Sequence, residues 1–243
     1  MAGVMLITGS SRGIGAATAR LAAGRGYKVC VNYVRDRGAG EALAREIGGI
    51  AVGGDVAVEA DVVRMFTEVD KRLGRLTVLV NNAGVVDVAA RVDEMSLARL
   101  DRMFAINVTG SFLCAREAVK RMSTRHGGAG GAIINLSSVA ARIGAPAMYV
   151  DYAAAKGAID TMTLGLSKEV GGEGIRVNAV RPGVILTEIH ASSGDPGRAE
   201  RIGATAPLGR AGDAEEIARA ILWLASDEAS YVSGAILDVA GGR

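Results

Sequence analysis

"LITGSSRGIG", Leu6–Gly15, sits between a short aliphatic run and an Ala-rich segment with helical periodicity. Thr8 and the glycines at 9, 13 and 15 make TGxxxGxG at a strand-to-helix junction. Glycine lets a backbone turn sharply and approach a ligand with no Cβ in the way. The unpaired N–H groups and positive dipole end of the helix that follows favour a phosphate. Taken alone, the stretch establishes only a phosphate-friendly turn. Its context is that of the dinucleotide fingerprint, with three residues instead of one after the first glycine.

Outward from the turn, short aliphatic runs alternate with longer amphipathic ones. Strands are expected at 4–8, 28–33, 49–56, 76–84, 131–138, 175–183 and 235–242. Helices are expected at about 14–25, 38–47 and 59–74, over 96–125 with a break near "INVTGS", and over 149–174. A further helix opens at Asp213, with Glu216 placed for a capping box. Strand runs that are apolar on both faces and separated by helices predict one α/β domain over 1–243. Its core is a doubly wound, Rossmann-type, seven-stranded parallel sheet with helices on both faces. The polar stretch 187–212, rich in Gly, Ser, Pro and Ala, reads as a candidate lid or a merely exposed insertion.

Composition narrows the function classes. The 243 residues, 49% hydrophobic and 22% charged, are those of a globular chain able to bury a large core. A net charge of +2 without a basic block interleaved with aromatics argues against nucleic acid as the main partner. Cys30 and Cys114 lie far apart and outside any metal-ligand spacing, so neither a disulfide framework nor a metal site is expected. No apolar stretch is long enough to cross a bilayer and the start lacks a basic leader, which predicts a cytoplasmic protein without a membrane partner.

Downstream, "YAAAK" places Tyr152 and Lys156 on one helix face. A phenol of pKa about 10 is a poor acid or base at neutral pH, and a neighbouring ammonium is expected to lower that value. An exposed Tyr/Lys pair would show the same spacing. "INLSS" ends the fifth strand, where doubly wound sheets bind ligands, and a hydroxyl there can donate to a carbonyl gaining alkoxide character. Strand alternation puts Ser137 and Ser138 on opposite faces. Asn107 in "INVTG" disfavours regular helix and marks a local break.

Together these motifs resemble the short-chain dehydrogenase/reductase family over essentially the whole chain, near its bacterial glucose-dehydrogenase-like and 3-oxoacyl-carrier-protein-reductase-like members. The resemblance implies a catalytic tetrad of Asn107, Ser138, Tyr152 and Lys156, with Ser137 left to satisfy backbone groups. Tyr152 is then the general acid/base, Ser138 polarises the carbonyl, and Lys156 tunes Tyr152 and holds the nicotinamide ribose. Asn107 lies at a helix kink and holds a water linking the lysine to solvent. "NNAG" (81–84) would border the adenosine side through Asn82, Ala83 and Gly84, with Asp55 and Val56 at the adenine. "RPGVILT" (181–187) would close on the nicotinamide through Pro182, Gly183, Val184 and Thr187. The turn contributes Gly9, Ser11, Arg12, Gly13, Ile14 and Gly15.

NAD-binding folds carry an acidic residue at the end of the second strand for the ribose 2′-OH. Here "KVCVNY" ends on Asn32 and Tyr33, with Arg12 in the turn and Arg35 and Arg37 beyond the strand. An arginine clasps a 2′-phosphate that a carboxylate would repel. The sequence therefore predicts NADP(H), with Arg12, Asn32, Tyr33 and Arg35 at the adenosine end. Asp36 stands at nearly the distance an NAD carboxylate would have, but between two arginines. His126 reads as a helix C-terminal cation, and His190 falls in the candidate lid. The resemblance further implies a homotetramer, or homodimer, acting on a small carbonyl or alcohol substrate. Two other readings stand beside it: a 3-oxoacyl-carrier-protein reductase, for which Arg99, Arg102 or Arg121 would form the basic patch, and a catalytically inactive NADP-binding sensor.

Overall fold

Strand β1 (Val4–Ile7) is buried along its whole length, and alternate residues serve opposite faces. Met5 and Ile7 enter one apolar cluster, Val4 and Leu6 the other. Such a strand requires covering layers on both sides. They are present in the computed structural model of the chain, which describes residues 3–187 and 197–243.

The sheet has seven parallel strands: β1, β2 (Lys28–Tyr33), β3 (Ile50–Gly53), β4 (Leu76–Asn81), β5 (Gly131–Leu136), β6 (Ile175–Pro182) and β7 (Ile236–Val239). Their spatial order is β3-β2-β1-β4-β5-β6-β7. One face is covered by α1 (Gly13–Gly24), α2 (Arg37–Glu46) and α9 (Ala214–Ala225), through Ala16, Ala19, Leu43, Ile217 and Ile221. The other is covered by α3 (Glu59–Arg72), α5 (Gly110–Met122) and α7 (Val150–Val170), through Phe66, Val69, Cys114, Met122 and Ile159. Strand order reverses between β1 and β4, which opens the crevice where open α/β sheets bind ligands.

The seven expected strands and their parallel arrangement are present, with shorter ends. Three local features differ. The long helical region does not break at "INVTGS": α4 (Leu97–Phe104) passes through one wide π turn, Ala105–Thr109, directly into α5. Absorbing an extra residue in a wider turn keeps the rod continuous while loosening its hydrogen bonds locally. Strand β3 stops at Gly53, so Asp55 and Val56 lie in the turn beyond it and not at its end. A two-residue parallel ladder between Ile185–Leu186 and Gly212–Asp213, unforeseen in the sequence, draws the two ends of the candidate lid together.

The expected cap was met, and His126 falls in a separate short turn beyond α5. Glu216 closes back on the Asp213 N–H at 2.8 Å, as a capping box should. His126 ends a short turn before Gly127, which adopts φ +78. Between the lid's ends, α8 (Arg198–Gly203) is described, following the short helix α6 (Ala140–Ile143) and α7 in chain order. Positions 188–196, including His190, lie outside the described residues.

Asn32, near the end of β2, ties β2 and β3 to the glycine turn. Its Oδ1 accepts from Gly9 N–H at 2.9 Å, and its Nδ2 donates to Val52 O at 3.2 Å and Gly54 O at 3.0 Å. The side chain is 0% exposed, so it shapes the turn from beneath and presents no atom to a ligand, unlike the direct contact expected of it. Asn32→Ala leaves these buried groups unpaired and is expected to cost about 2–3 kcal/mol in chemical denaturation. A loss within about 0.5 kcal/mol of zero would refute the anchoring role.

Candidate active site

The glycine turn is held open by side chains from neighbouring strand ends. Gly9 and Gly13 adopt φ +60 and +57, conformations that need glycine. A Cβ on Gly15 would come within 2.6 Å of Asn82 Nδ2 and 2.7 Å of Ser10 Cα, so the helix starts against the "NNAG" loop without room for a side chain. Asn82 Nδ2 donates to Thr8 O (2.8 Å) and Gly9 O (2.9 Å), and Thr8 Oγ1 accepts from the N–H of Asn82 and of Ala83, both at 3.0 Å. This role of Thr8 escaped the sequence reading. Its only signal was a hydroxyl residue at a strand end directly before glycine.

The residues fit a dinucleotide. The first turn of α1 contains no acidic residue, and Arg12 precedes it without capping it through its side chain. Its leading N–H groups at Gly13, Ile14 and Gly15, next to Ser11, thus face the crevice with an electrostatic preference for anions. Across the crevice Thr187 approaches Gly13, its Cγ2 lying 3.6 Å from where a Cβ would sit. The segment leading to it is pinned to the sheet edge: Pro182 O accepts from Val139 N–H (3.1 Å), Gly183 N–H donates to Val239 O (3.1 Å), and Val184 O accepts from Gly212 N–H (2.9 Å).

The four expected catalytic positions come together. The Ser138 hydroxyl, which accepts from Ala140 N–H at 3.1 Å, stands near enough to the Tyr152 phenol to favour its ionised form. Lys156 Nζ lies 5.6 Å from the Tyr152 ring centre and donates to Leu136 O at 2.6 Å. Asn107, 0% exposed within the π turn, grips residue 85, its Oδ1 accepting from Val85 N–H (3.1 Å) and its Nδ2 donating to Val85 O (3.0 Å). Gly84 fills the space between: a Cβ there would lie 2.8 Å from Asn107 Oδ1 and 3.6 Å from Lys156 Nζ. Ser137 points the other way, donating to Lys156 O at 3.2 Å.

Electrostatics correct one expectation. Burial raises the Tyr152 phenol above its usual range, only partly offset by the Ser138 hydroxyl. The expected lowering by Lys156 is not what dominates. Burial also pulls the Lys156 ammonium down to about 8, with Asp160, one helical turn on, pushing it back up. Asp160 is itself paired with Arg181 at 2.7 Å.

At the adenosine end, Tyr33 packs between Gly40 and Gly53, either of which would crowd its ring with a Cβ. Asp36 caps α2, accepting from Ala39 N–H at 2.8 Å, and Arg37 pairs with Glu41 at 2.7 Å. Arg12 and Arg35 are exposed. Asp55 Oδ1 accepts from Ala57 N–H (2.9 Å), beside a buried Val56.

The family model described as "Enoyl-(Acyl carrier protein) reductase" matches residues 9–243. The uncharacterized oxidoreductase YgfF of Escherichia coli (strain K12) is 53% identical over 99% of each chain. Glucose 1-dehydrogenase 2 of Bacillus subtilis is 38% identical over 98% of this chain and 93% of its own. Among solved structures, a Brucella melitensis protein described as ribose-5-phosphate isomerase superposes with a TM-score of 0.89 at 32% identity, over 99% of this chain and 92% of that one.

The buried lysine sets a pH-dependent stability. Its folded pKa of about 8 lies below the ordinary 10.5, so at neutral pH the fold carries the full cost of burying the ammonium. That cost disappears as pH rises from the folded value through the unfolded one, because only the unfolded state then still binds the proton. Lys156→Met removes that cost but leaves Leu136 O unpaired at every pH, so relative to the native protein the variant is expected to be about 1–3 kcal/mol more favourable near pH 7 than near pH 10. Urea denaturation at both pH values checks this; a difference between variant and native protein that is the same at both would overturn it.

Proposed function

The chain belongs to the short-chain dehydrogenase/reductase family of oxidoreductases, which use a nicotinamide cofactor, and from that premise we propose that it interconverts a small alcohol and its ketone or aldehyde with NADP(H). The observation that carries the reading is the buried Lys156 with its Nζ 5.6 Å from the Tyr152 ring centre, at the strand end that carries Ser138. A nicotinamide bound in the crevice supplies the hydride for reduction and accepts it in oxidation.

In reduction Tyr152, kept protonated by burial, gives its proton to the carbonyl oxygen as that oxygen gains charge. Ser138 donates a hydrogen bond to the same oxygen. The Lys156 ammonium stabilises the phenolate left behind and reaches the nicotinamide ribose. Asn107 completes the proton relay and keeps Gly84 and Val85 beside the lysine. Oxidation runs the same groups in reverse. Gly9, Ser11, Gly13, Ile14 and Gly15 would hold the pyrophosphate, Asp55 and Val56 the adenine, and Asn82, Ala83 and Gly84 would border the adenosine. Pro182, Gly183, Val184 and Thr187 would meet the nicotinamide.

NADP(H) rather than NAD(H) is supported by the missing carboxylate at the end of β2. Asp36, the one nearby candidate, is used as a helix cap between two arginines. Arg12 and Arg35 would hold the 2′-phosphate, over the face of Tyr33. A carrier-protein substrate draws less support. Arg99 pairs with Asp151, Arg102 with Asp87 and Arg121 with Asp70 and Glu117, so none of the three forms a basic patch. A catalytically silent sensor is disfavoured by the assembled tetrad. Exposed Leu97, Phe104, Phe112 and Leu164 on α4, α5 and α7 support a homotetramer or homodimer. Among the described residues no helix is long and apolar enough to cross a membrane, and both cysteines are buried and unbridged, which supports a cytoplasmic setting.

Tyr152→Phe is expected to abolish turnover while leaving NADPH binding, read by cofactor fluorescence, nearly unchanged; near-normal turnover would sink the mechanism. Arg12→Ala is expected to raise KM for NADPH by about tenfold or more and to leave KM for NADH alone. A native protein that prefers NADH across ketones, sugars and acyl thioesters would refute the cofactor assignment.

A further inference from the structure

A buried ion pair includes the residue next to Tyr152 in the chain without being part of the tetrad. Arg99 on α4 meets Asp151, the residue before Tyr152, in a two-pronged contact: Nε to Oδ2 at 2.8 Å and Nη2 to Oδ1 at 3.2 Å. The arginine side chain is 9% exposed and the carboxylate 0%. The third prong of the guanidinium, Nη1, donates to Val88 O at 2.7 Å. One side chain thus ties α4, the start of α7 and the loop after β4.

That loop is the one whose first residues, Gly84 and Val85, stand beside Asn107 and Lys156. It is held twice more, by Ala90 N–H donating to Met148 O (3.0 Å) and by Asp87 paired with Arg102 (3.2 Å). Met148 belongs to the connection from α6 to α7, where Ala145 and Ala147 adopt φ +44 and +58. Non-glycine residues stay in that region only when their surroundings over-determine them. The two chains walling the crevice around Tyr152 are therefore braced against each other, and Arg99 is the brace with three prongs. A planar guanidinium does this where an ammonium cannot.

We propose that Arg99, acting through Asp151 and Val88 O, is a positioning residue for the reaction, locking loop 84–91 to the start of α7 so that the Tyr152 phenol stays opposite Ser138. The proposal rests on the alcohol–carbonyl reading above in its kinetic part and on geometry alone in its structural part. Small misplacements of a reacting group cost rate steeply, and hydride and proton transfer both end on the same carbonyl.

Removing one partner would strand a buried charge and could unfold the chain, so the informative variant is the double Arg99→Met/Asp151→Leu, which removes both charges and leaves apolar side chains in their place. Hydrogen exchange read by mass spectrometry, on protein without cofactor, is expected to quicken about tenfold in peptides covering 84–92 and to stay unchanged in β1, β4 and β5. With NADPH and the fastest ketone or aldehyde of the native protein, kcat is expected to fall about 100-fold while KM for NADPH stays within about twofold. Unchanged exchange at 84–92, or quickened exchange with native kcat, would overturn the proposal. So would exchange that quickens equally in the sheet, since the pair would then stabilise the fold at large. A native protein that reduces no carbonyl would defeat the functional reading, and the exchange measurement, which needs no turnover, would still decide whether Arg99 locks the loop.

Discussion

The carboxyl edge of a parallel sheet must satisfy backbone groups that no further ladder can pair, and in this chain side chains do it. Asn32 completes the ends of β2 and β3, Thr8 and Asn82 the ends of β1 and β4, and Lys156 the end of β5 through Leu136 O. Buried backbone polar groups cannot be left unpaired without loss of stability comparable to a hydrogen bond each. Because the partners are side chains and not another strand, the edge opens into a crevice lined by glycine turns. The same hydrogen bonds that let the sheet stop also fix where a dinucleotide would lie.

Burial then decides protonation. Tyr152 is pushed up and Lys156 down, so both favour their neutral forms more than they would in water. The tyrosine keeps its proton over a wide pH range, while the lysine, at about 8, stays charged near neutrality by a narrow margin. Asp160, one turn on and itself paired with Arg181, helps hold that margin. A purely apolar wall would push the lysine further towards its neutral form. The Asp160 carboxylate is thus part of what keeps a buried ammonium charged in the crevice.

Much of this was legible in the sequence because it depends on period and punctuation. Two-faced apolar strands, Ala-rich helices between them and glycines at the first junction determine the layers and the parallel pairing, while the strand order is read from the structure. Features that depend on three-dimensional closeness were not legible. The π turn looked like a break, since Asn107 disfavours helix locally, whereas its amide is satisfied by Met103 O one turn back and by Val85 across the crevice. Asn32 looked like a ligand contact by its position at a strand end, yet its amide is consumed by Val52 and Gly54. The direction of the Tyr152 shift was misjudged because sequence spacing reveals the neighbouring charge but not the depth of burial.

The adjacent serines show where the boundary between the two kinds of information runs. Alternation along β5 and its continuation requires that Ser137 and Ser138 face opposite ways, and nothing local says which faces the crevice. The structure resolves this by pairing: Ser137 Oγ is spent on Lys156 O, 3.2 Å away, while the Ser138 hydroxyl acts on the Tyr152 phenol. The Ser137 bond holds the backbone of the helix that carries both Tyr152 and Lys156. A single strand end therefore anchors the helix with one hydroxyl and turns the next towards the phenol. Shifting the register by one residue would exchange these duties and leave the lysine's helix unanchored, so the strand's register is as much a determinant of the site as the identity of the residues in it.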